Sequence, residues 1–322
     1  MFQHAVERLA PRFPLENVFI VTREDQSALL SSQEPDLPSP NFINEPRGRG
    51  TAPAIGLAAI HLRKRDPEAI MAVLTADHYI ANTEHFCQAL EAASMAAGNG
   101  HLVTLGIKPA SPSTGFGYIQ QGESMGAVND FPLFHVEGFT EKPELAVAQQ
   151  MVTSGKYSWN SGMFVWKVGR ILEEFQNQMP ELYAQLMEVE AAIGSPDYKS
   201  VLARVWDQVS EQTIDYGVME HAKDVVVIPV DIGWTDVGNW ESLAELLSPD
   251  QDGNILVGSH QEIDTHNTFM FGGKRLVATI GVQDLVIVDT EDALLICAKG
   301  REQDVREVVE QLKKSGDGSK WL

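Results

Sequence analysis

The chain has 322 residues, 43% hydrophobic and 21% charged, and carries a formal net charge of −21. Such a charge repels a duplex nucleic acid or an anionic membrane, each of which needs a basic face, and leaves any phosphate ester to local cations, backbone amides and a metal ion. Two cysteines far apart, Cys87 and Cys297, without ligand spacing, speak against a disulfide framework and against a structural zinc site.

The length favours one large domain with a smaller companion. The opening text, Met-Phe-Gln-His-Ala-Val-Glu-Arg, has no basic segment followed by an apolar one, and no apolar run reaches spanning length, so a cytoplasmic protein is expected. The first element is a helix over 2–9. From there to residue 107, strand-rich runs (18–22, 41–44, 70–75, 102–107) alternate with helix-patterned ones (24–32, 51–65, 83–97), the pattern of a parallel, doubly wound sheet covered by helices. Thr51 is placed to cap the helix that follows, with Pro53 in its first turn, where a missing N–H costs nothing. After Gly115 the strands lengthen (116–120, 133–139, 159–166) around a helix over 144–154, as in a mixed insertion forming a lid or substrate half. Helical text runs from 168 to about 209 with a break at Gly194-Ser195-Pro196, then a strand over 225–230 and a helix over 238–247. Pro249, Asp250, Asp252 and Gly253 mark a domain boundary. Beyond it come short strands (254–257, 268–271, 276–280, 285–288, 293–297) and an amphipathic helix over 302–314, without a visible hexapeptide period.

Several stretches hold residues able to carry chemistry. Asp77, in Thr75-Ala76-Asp77-His78, follows an apolar strand and so stands at its carboxyl end, where ligands sit in such sheets. It suits a metal ligand, although an aspartate after a strand is more often an N-cap or turn residue. Asp236 has the same setting after the strand over 225–230. Two such carboxylates could converge on one Mg2+, which takes hard oxygen ligands and keeps substrate phosphates in its shell; the alternative for Asp236 is capping of the next helix. Phe139-Thr140-Glu141-Lys142-Pro143 ends a strand with an acid and a base that Pro143 holds out of the helical region. An extended Glu141–Lys142 pair suits a sugar phosphate, the acid accepting from hydroxyls and the base neutralising phosphate, though such pairs are also ordinary surface. Asn160, in Trp159-Asn160-Ser161-Gly162, can bond vicinal hydroxyls or occupy a turn. In Glu45-Pro46-Arg47-Gly48-Arg49-Gly50-Thr51 an acid and two arginines precede a helix N-terminus, a place for a nucleotide base or phosphate, or a plain capped turn. Gly115 and Gly117 let a ligand approach the backbone, or mark a bulge.

The order of Glu-Pro-x-Gly-Arg-x-Thr-Ala-Pro at 45–53, Thr-Ala-Asp-His at 75–78, Thr-Gly-Phe-Gly-Tyr-Ile at 114–119, Phe-Thr-Glu-Lys-Pro at 139–143, Trp-Asn-Ser-Gly-Met-Phe at 159–164, Ile-Asp-Tyr-Gly-Val-Met-Glu at 214–220 and Gly-Trp-Thr-Asp-Val-Gly-Asn-Trp at 233–240 resembles the mannose-1-phosphate guanylyltransferases over essentially the whole chain. That resemblance implies an α/β fold, with a Rossmann-like nucleotide-diphospho-sugar transferase core and mixed sheet over 1–250 and a small β-rich, β-helix-like domain over 251–322. It implies attack of α-D-mannose 1-phosphate on the α-phosphorus of GTP, giving GDP-mannose and pyrophosphate, a substitution that needs positioning and charge neutralisation but no covalent nucleophile. By the matching motifs, Asp77 and Asp236 hold the Mg2+ and act with Lys142 as the catalytic set. Asp77, Glu45, Pro46, Gly48, Arg49 and Thr51 serve the nucleotide, with Glu45 and its loop reading the guanine. Gly117, Glu141, Lys142 and Asn160 hold the mannose phosphate. The β-rich tail suggests a homo-oligomer.

Three departures from the family pattern matter. The family opens with a strand and a loop of the form Gly-Gly-x-Gly-x-Arg, then Pro-Lys, and nothing in residues 1–12 matches it; residues 2–9 instead resemble the helix that follows that loop. The resemblance therefore implies roughly forty absent residues, by the usual span of a strand, loop and helix, through a mis-assigned initiation codon or a real truncation, the former favoured because every later motif keeps its chemically useful residues; it also implies impaired turnover, because that loop would cradle the triphosphate. Gly50 stands where the family usually has Asn, which would loosen the guanine loop, and His221 where a Lys is common, which would remove a phosphate contact. Two rival readings follow: a non-catalytic nucleotide-sugar-binding or regulatory subunit, and a pyrophosphorylase for another nucleotide or hexose phosphate.

Overall fold

A computed structural model describes residues 1–10, 12–238, 240–244, 246–315 and 318–321. The chain divides into two compact units, Met1–Trp234 and Thr235–Leu322. The division falls ahead of the turn at 249–253, so Asp236 belongs to the second unit. No helix of the described residues is long and apolar enough to cross a membrane.

In the first unit the elements are α1 (Phe2–Glu7), β1 (Ile20–Arg23), α2 (Glu24–Gln33), β2 (Phe42–Glu45), α3 (Thr51–Arg65), β3 (Ile70–Val73), β4 (Tyr79–Ile80), α4 (Thr83–Gly98), β5 (Leu102–Ile107), β6 (Gly117–Val128), β7 (Phe131–Glu141), α5 (Leu145–Ser154), β8 (Tyr157–Lys167), α6 (Val168–Gln178), α7 (Pro180–Ala192), α8 (Tyr198–Trp206) and β9 (Val225–Val230). A six-stranded sheet runs in the order β3-β8-β5-β9-β7-β6, and β6 also pairs with the start of β8. All six residues of β5 are buried, because helices cover both faces. On one face Val103, Leu105 and Ile107 meet Phe86, Leu90 and the small residues Ala89, Ala93 and Ala97 of α4. On the other Leu102, Phe164, Trp166 and Val225 meet Leu57, Ile60, Phe175, Leu186 and Trp206 of α3, α6, α7 and α8. Each buried Val, Leu, Ile or Phe among them contributes about 1.5–3 kcal/mol.

The sheet is mixed, and the expected parallel run through residue 107 needs correcting. β3 and β5 both pair antiparallel with β8, which inserts between them, while β5 and β9 run parallel. β1 and β2 form a separate two-stranded parallel sheet. A strand buried on both faces is apolar whichever way its neighbour runs, so the alternation of runs could not show that a strand from 157–167 would come between them. Opposite Leu105, β8 carries extra residues at Ser161–Met163, with Gly162 at φ +65°. Ser161 is buried and closes this bulge: its hydroxyl donates to Leu105 O at 2.6 Å and accepts from Met163 N at 3.2 Å.

In the second unit parallel strands stack in coils. Ile255–Val257, Phe269–Phe271 and Leu285–Asp289 form one ladder, and His260–His266 with Val277–Gln283 another; Leu294–Ala298 closes the first ladder antiparallel. Phe269, Val286 and Val288 are the buried centre. Asp264 and Asn267, and seventeen residues on Gly281 and Asp284, turn the corners with positive φ. Buried Asn254 bridges a turn, donating to Thr265 O at 2.7 Å and accepting from Thr268 N at 3.0 Å. This is the β-helix-like tail expected from the resemblance, with a coil too long to show as a hexapeptide repeat. The strand His260–His266 escaped the sequence reading because most of its side chains are polar and exposed.

Candidate functional site

Three strands deliver the predicted sugar-phosphate residues to one place. Gly117 of β6 faces Glu141 of β7. A Cβ on Gly117 would lie 2.5 Å from Glu141 Oε2 and 3.5 Å from Asn160 Cβ, so the missing side chain is what lets the carboxylate lie across the strand beside Asn160. Asn160 sits in β8 just ahead of the bulge. Its Nδ2 donates to Asp215 Oδ1 at 2.7 Å and its Oδ1 accepts from Gly162 N at 3.2 Å, which leaves one N–H and one lone pair of the amide for a ligand. Asp215 opens the π-helical turn Asp215–Met219, a distortion common at functional sites. Nothing in the sequence marks this partnership, because it joins residues 55 positions apart.

Lys142 Nζ lies 3.3 Å from Glu141 Oε1, both side chains exposed. The expected extended backbone at Lys142 is not found: φ is +44°. The strand leaves the sheet immediately after Glu141, the Lys142 N–H is tied to Phe116 O at 3.2 Å, and Pro143 closes the right-handed helical region; the backbone turns here through a positive φ instead of staying extended. For a lysine that conformation is strained, as residues at sites often are.

Asp77 follows β3 and is exposed, without a hydrogen bond or ion pair to any described residue. It caps no helix; Asn82 does, accepting from His85 N at 3.0 Å. Gly162 lies against Thr75, a Cβ there falling 3.8 Å from Thr75 Cγ2, so the Asp77 turn adjoins the Asn160 bulge. The backbone of this turn is gripped by buried Arg8, whose guanidinium donates to His78 O at 2.7 Å and to Thr75 O at 3.1 Å. The His78 ring accepts from Trp234 Nε1 at 3.0 Å. Trp234, Phe116 and Trp159 form an aromatic floor, with Phe116 4.9 Å from Trp159 and 5.3 Å from Trp234 between ring centres.

In the second unit, Asp236 Oδ1 accepts from Gly238 N at 3.1 Å. This is a local turn rather than a cap bonded to the helix Trp240–Ala244, and Asn239 lies outside the described residues. Among the described residues no three His, Cys, Asp or Glu side chains group to hold a metal ion. Asp77, a hard oxygen donor committed to no internal partner, fits an ion whose shell is completed by substrate phosphates.

The Glu45 loop is built against the segment after α8. Arg47 pairs with Asp207 Oδ1 at 2.6 Å, Arg49 donates to Asp207 O at 3.0 Å, and Trp206 Nε1 donates to Arg47 O at 2.8 Å. Gln212 N bonds Arg49 O and Ala52 N bonds Gln212 O, both at 3.1 Å. Contrary to the expectation from the sequence, Thr51 does not cap α3: Gly50 is the N-cap residue and the Thr51 hydroxyl accepts from Ile214 N at 2.8 Å. The N-terminus of α3 is thus partly taken by Gln212. Gly50, at φ +85°, has no room for a Cβ against Gln212 O; the loop it serves is stitched down rather than loosened. Pro46 and Gly48 are exposed, and an open cleft of about 520 Å3 lined by Arg23, Glu24, Asp25, Pro46 and Arg47 borders the loop. Glu45 is half-buried. Burial raises its carboxyl above the ordinary value, Arg23 opposing, and its Oε2, like Asn44 Oδ1, is buried without a partner.

Residues 1–253 match the nucleotidyl transferase family model, and residues 258–312 that of a MannoseP isomerase/GMP-like beta-helix domain. The mannose-1-phosphate guanylyltransferase of Escherichia coli K12 is 41% identical over 309 residues, 94% of this chain. Its namesake in Salmonella typhimurium is 40% identical over 306 residues, also 94% of this chain. The chain spans 64% of the length of each of these relatives. A crystal structure described as a mannose-1-phosphate geranyltransferase from Thermus thermophilus superposes with a TM-score of 0.83 at 34% identity, covering 96% of this chain and 88% of that one.

Proposed function

As this chain belongs to the nucleotidyl transferase family, we propose that it transfers the guanylyl group of GTP to α-D-mannose 1-phosphate, in the cytoplasm. A phosphate oxygen of the sugar phosphate attacks the α-phosphorus, its bond to pyrophosphate breaks, and GDP-mannose and pyrophosphate leave. The names of the relatives support this choice of substrates.

The observation that carries the reading is the meeting of Gly117, Glu141 and Asn160, from three strands, next to a bulge that adjoins the turn carrying exposed Asp77. Glu141 and the spare positions on Asn160 bond the sugar hydroxyls, Asp215 fixes the Asn160 amide, and Lys142 neutralises the phosphate. Glu45 reads guanine, its carboxylate accepting from the two N–H donors of the base's Watson–Crick edge. An adenine edge offers no such pair. Pro46, Gly48, Arg49 and Thr51 shape the nucleotide loop. A divalent ion, here Mg2+, supplies charge neutralisation between the two phosphates when bound; Asp77 and, by its motif, Asp236 would hold it.

The test is pyrophosphate release across a panel of nucleoside triphosphates and hexose 1-phosphates, with Glu141→Gln alongside. We expect turnover with GTP and mannose 1-phosphate, and a KM for the sugar phosphate raised about tenfold in the variant, the scale of one lost charged hydrogen bond. Tight binding of GDP-mannose by calorimetry without turnover on any pair would instead mark a nucleotide-sugar-binding subunit.

A further inference from the structure

We infer that Arg8 is the positioning residue of the metal-binding carboxylate, a role that rests on the reading of Asp77 as a ligand of the divalent ion. Arg8 closes α1, far in sequence from the motifs that carry the proposed chemistry. Yet its side chain is buried, its residue only 6% exposed, and its guanidinium reaches the carbonyls of Thr75 and His78. Those carbonyls bracket Asp77. The rigid fork of a guanidinium fixes two acceptors at a set separation, which a lysine ammonium cannot reproduce, so the turn between them is held in one shape while its carboxylate faces solvent.

The rest of the setting agrees. Arg8 stands over the Phe86 ring, 5.4 Å from its centre, and Phe86 is wholly buried in α4; the Arg8 carbonyl accepts from Cys87 Sγ at 3.3 Å. The cation is therefore anchored on the rigid helix behind the sheet, and Nε is buried with no partner. A buried charge with one donor unsatisfied is an expensive way to hold a surface turn, and the bonds it does make go to the one turn that carries Asp77. The opposite side of the turn is held through the His78 ring by Trp234.

The experiment reads Mn2+ binding by electron paramagnetic resonance of the free ion, with GDP-mannose present, on wild type, Arg8→Lys, Arg8→Met and Asp77→Asn. Thermal unfolding of each variant is recorded in parallel. We expect both Arg8 variants to bind Mn2+ about 10–100-fold more weakly, the usual effect of losing a group that orients a metal ligand, with Arg8→Lys the milder. Amide exchange at Ala76–Tyr79 should quicken in the same variants. If Arg8→Met does not fold, Arg8→Lys decides, since it keeps the charge and most of the volume. Wild-type Mn2+ affinity in folded Arg8→Lys, with Asp77→Asn weakened, overturns the role of Arg8 and leaves the site standing. Unchanged affinity in Asp77→Asn overturns the site and, with it, this inference.

Discussion

At position 50 a single methyl group would collide with the carbonyl oxygen of Gln212, on a backbone already at φ +85°. Gly50→Asn, the residue common in the family, is therefore expected to cost about 1–3 kcal/mol, read as a lower urea midpoint. The contrast is Gly117→Ala. Its Cβ meets the flexible end of Glu141, so the carboxylate moves and the fold does not: stability should hold while the KM for mannose 1-phosphate rises about tenfold, one charge-assisted bond lost. Glu45 gives a pH test. Burial raises its folded pKa above the unfolded value of about 4.3, so the stability linked to its proton is complete below that value and lost as pH rises through the folded one. Glu45→Gln cannot ionise and escapes that loss. Its urea midpoint should exceed that of wild type at pH 7, with the gap closing towards pH 4; a gap that widens on acidification would contradict the burial argument.

Elements bounded by clear chemical punctuation were legible. The helix over 51–65 and the strands over 102–107 and 225–230 match residue for residue, each an apolar run that begins or ends at glycine, proline or charge. The hairpin of β6 and β7 was read too short. Beyond Gln120 the residues of β6 are mostly exposed and mix polar, glycine and apolar types, so no alternation marks the strand, and pairing with β7 holds it extended. The bulge in β8 was invisible for the opposite reason: Ser161 looks like any turn residue until its hydroxyl is seen satisfying Leu105 O. Ser161→Ala should leave that buried carbonyl short of a partner, at about 1–3 kcal/mol, and should disorder Asn160 enough to weaken sugar-phosphate binding as well. Calorimetry and unfolding on the same variant separate the two effects. The site was half legible on the same grounds. Glu141, Lys142 and Asp77 stand at strand ends, which the sequence marks, whereas Arg8 and Asp215 act through partners 70 and 55 positions away.

For the molecule as a whole, a net charge of −21 sets a field against the anions it is proposed to bind. Without divalent ions, nucleotide association should quicken as salt is raised from 20 to 200 mM, by screening over a Debye length that shrinks from roughly 20 to 7 Å; stopped-flow rates would check the sign, which is opposite to that of an electrostatically steered enzyme. The placement of β8 between β3 and β5 bears on synthesis. A ribosome that has released residue 107 has delivered the edge strand β3 and the central strand β5, whose shared partner ends at Lys167, and β5 must wait further for Val230. At 5–20 residues per second that interval is roughly ten seconds. Throughout it the nascent chain exposes apolar edges that nothing yet made can cover, and this is when a chaperone has its window.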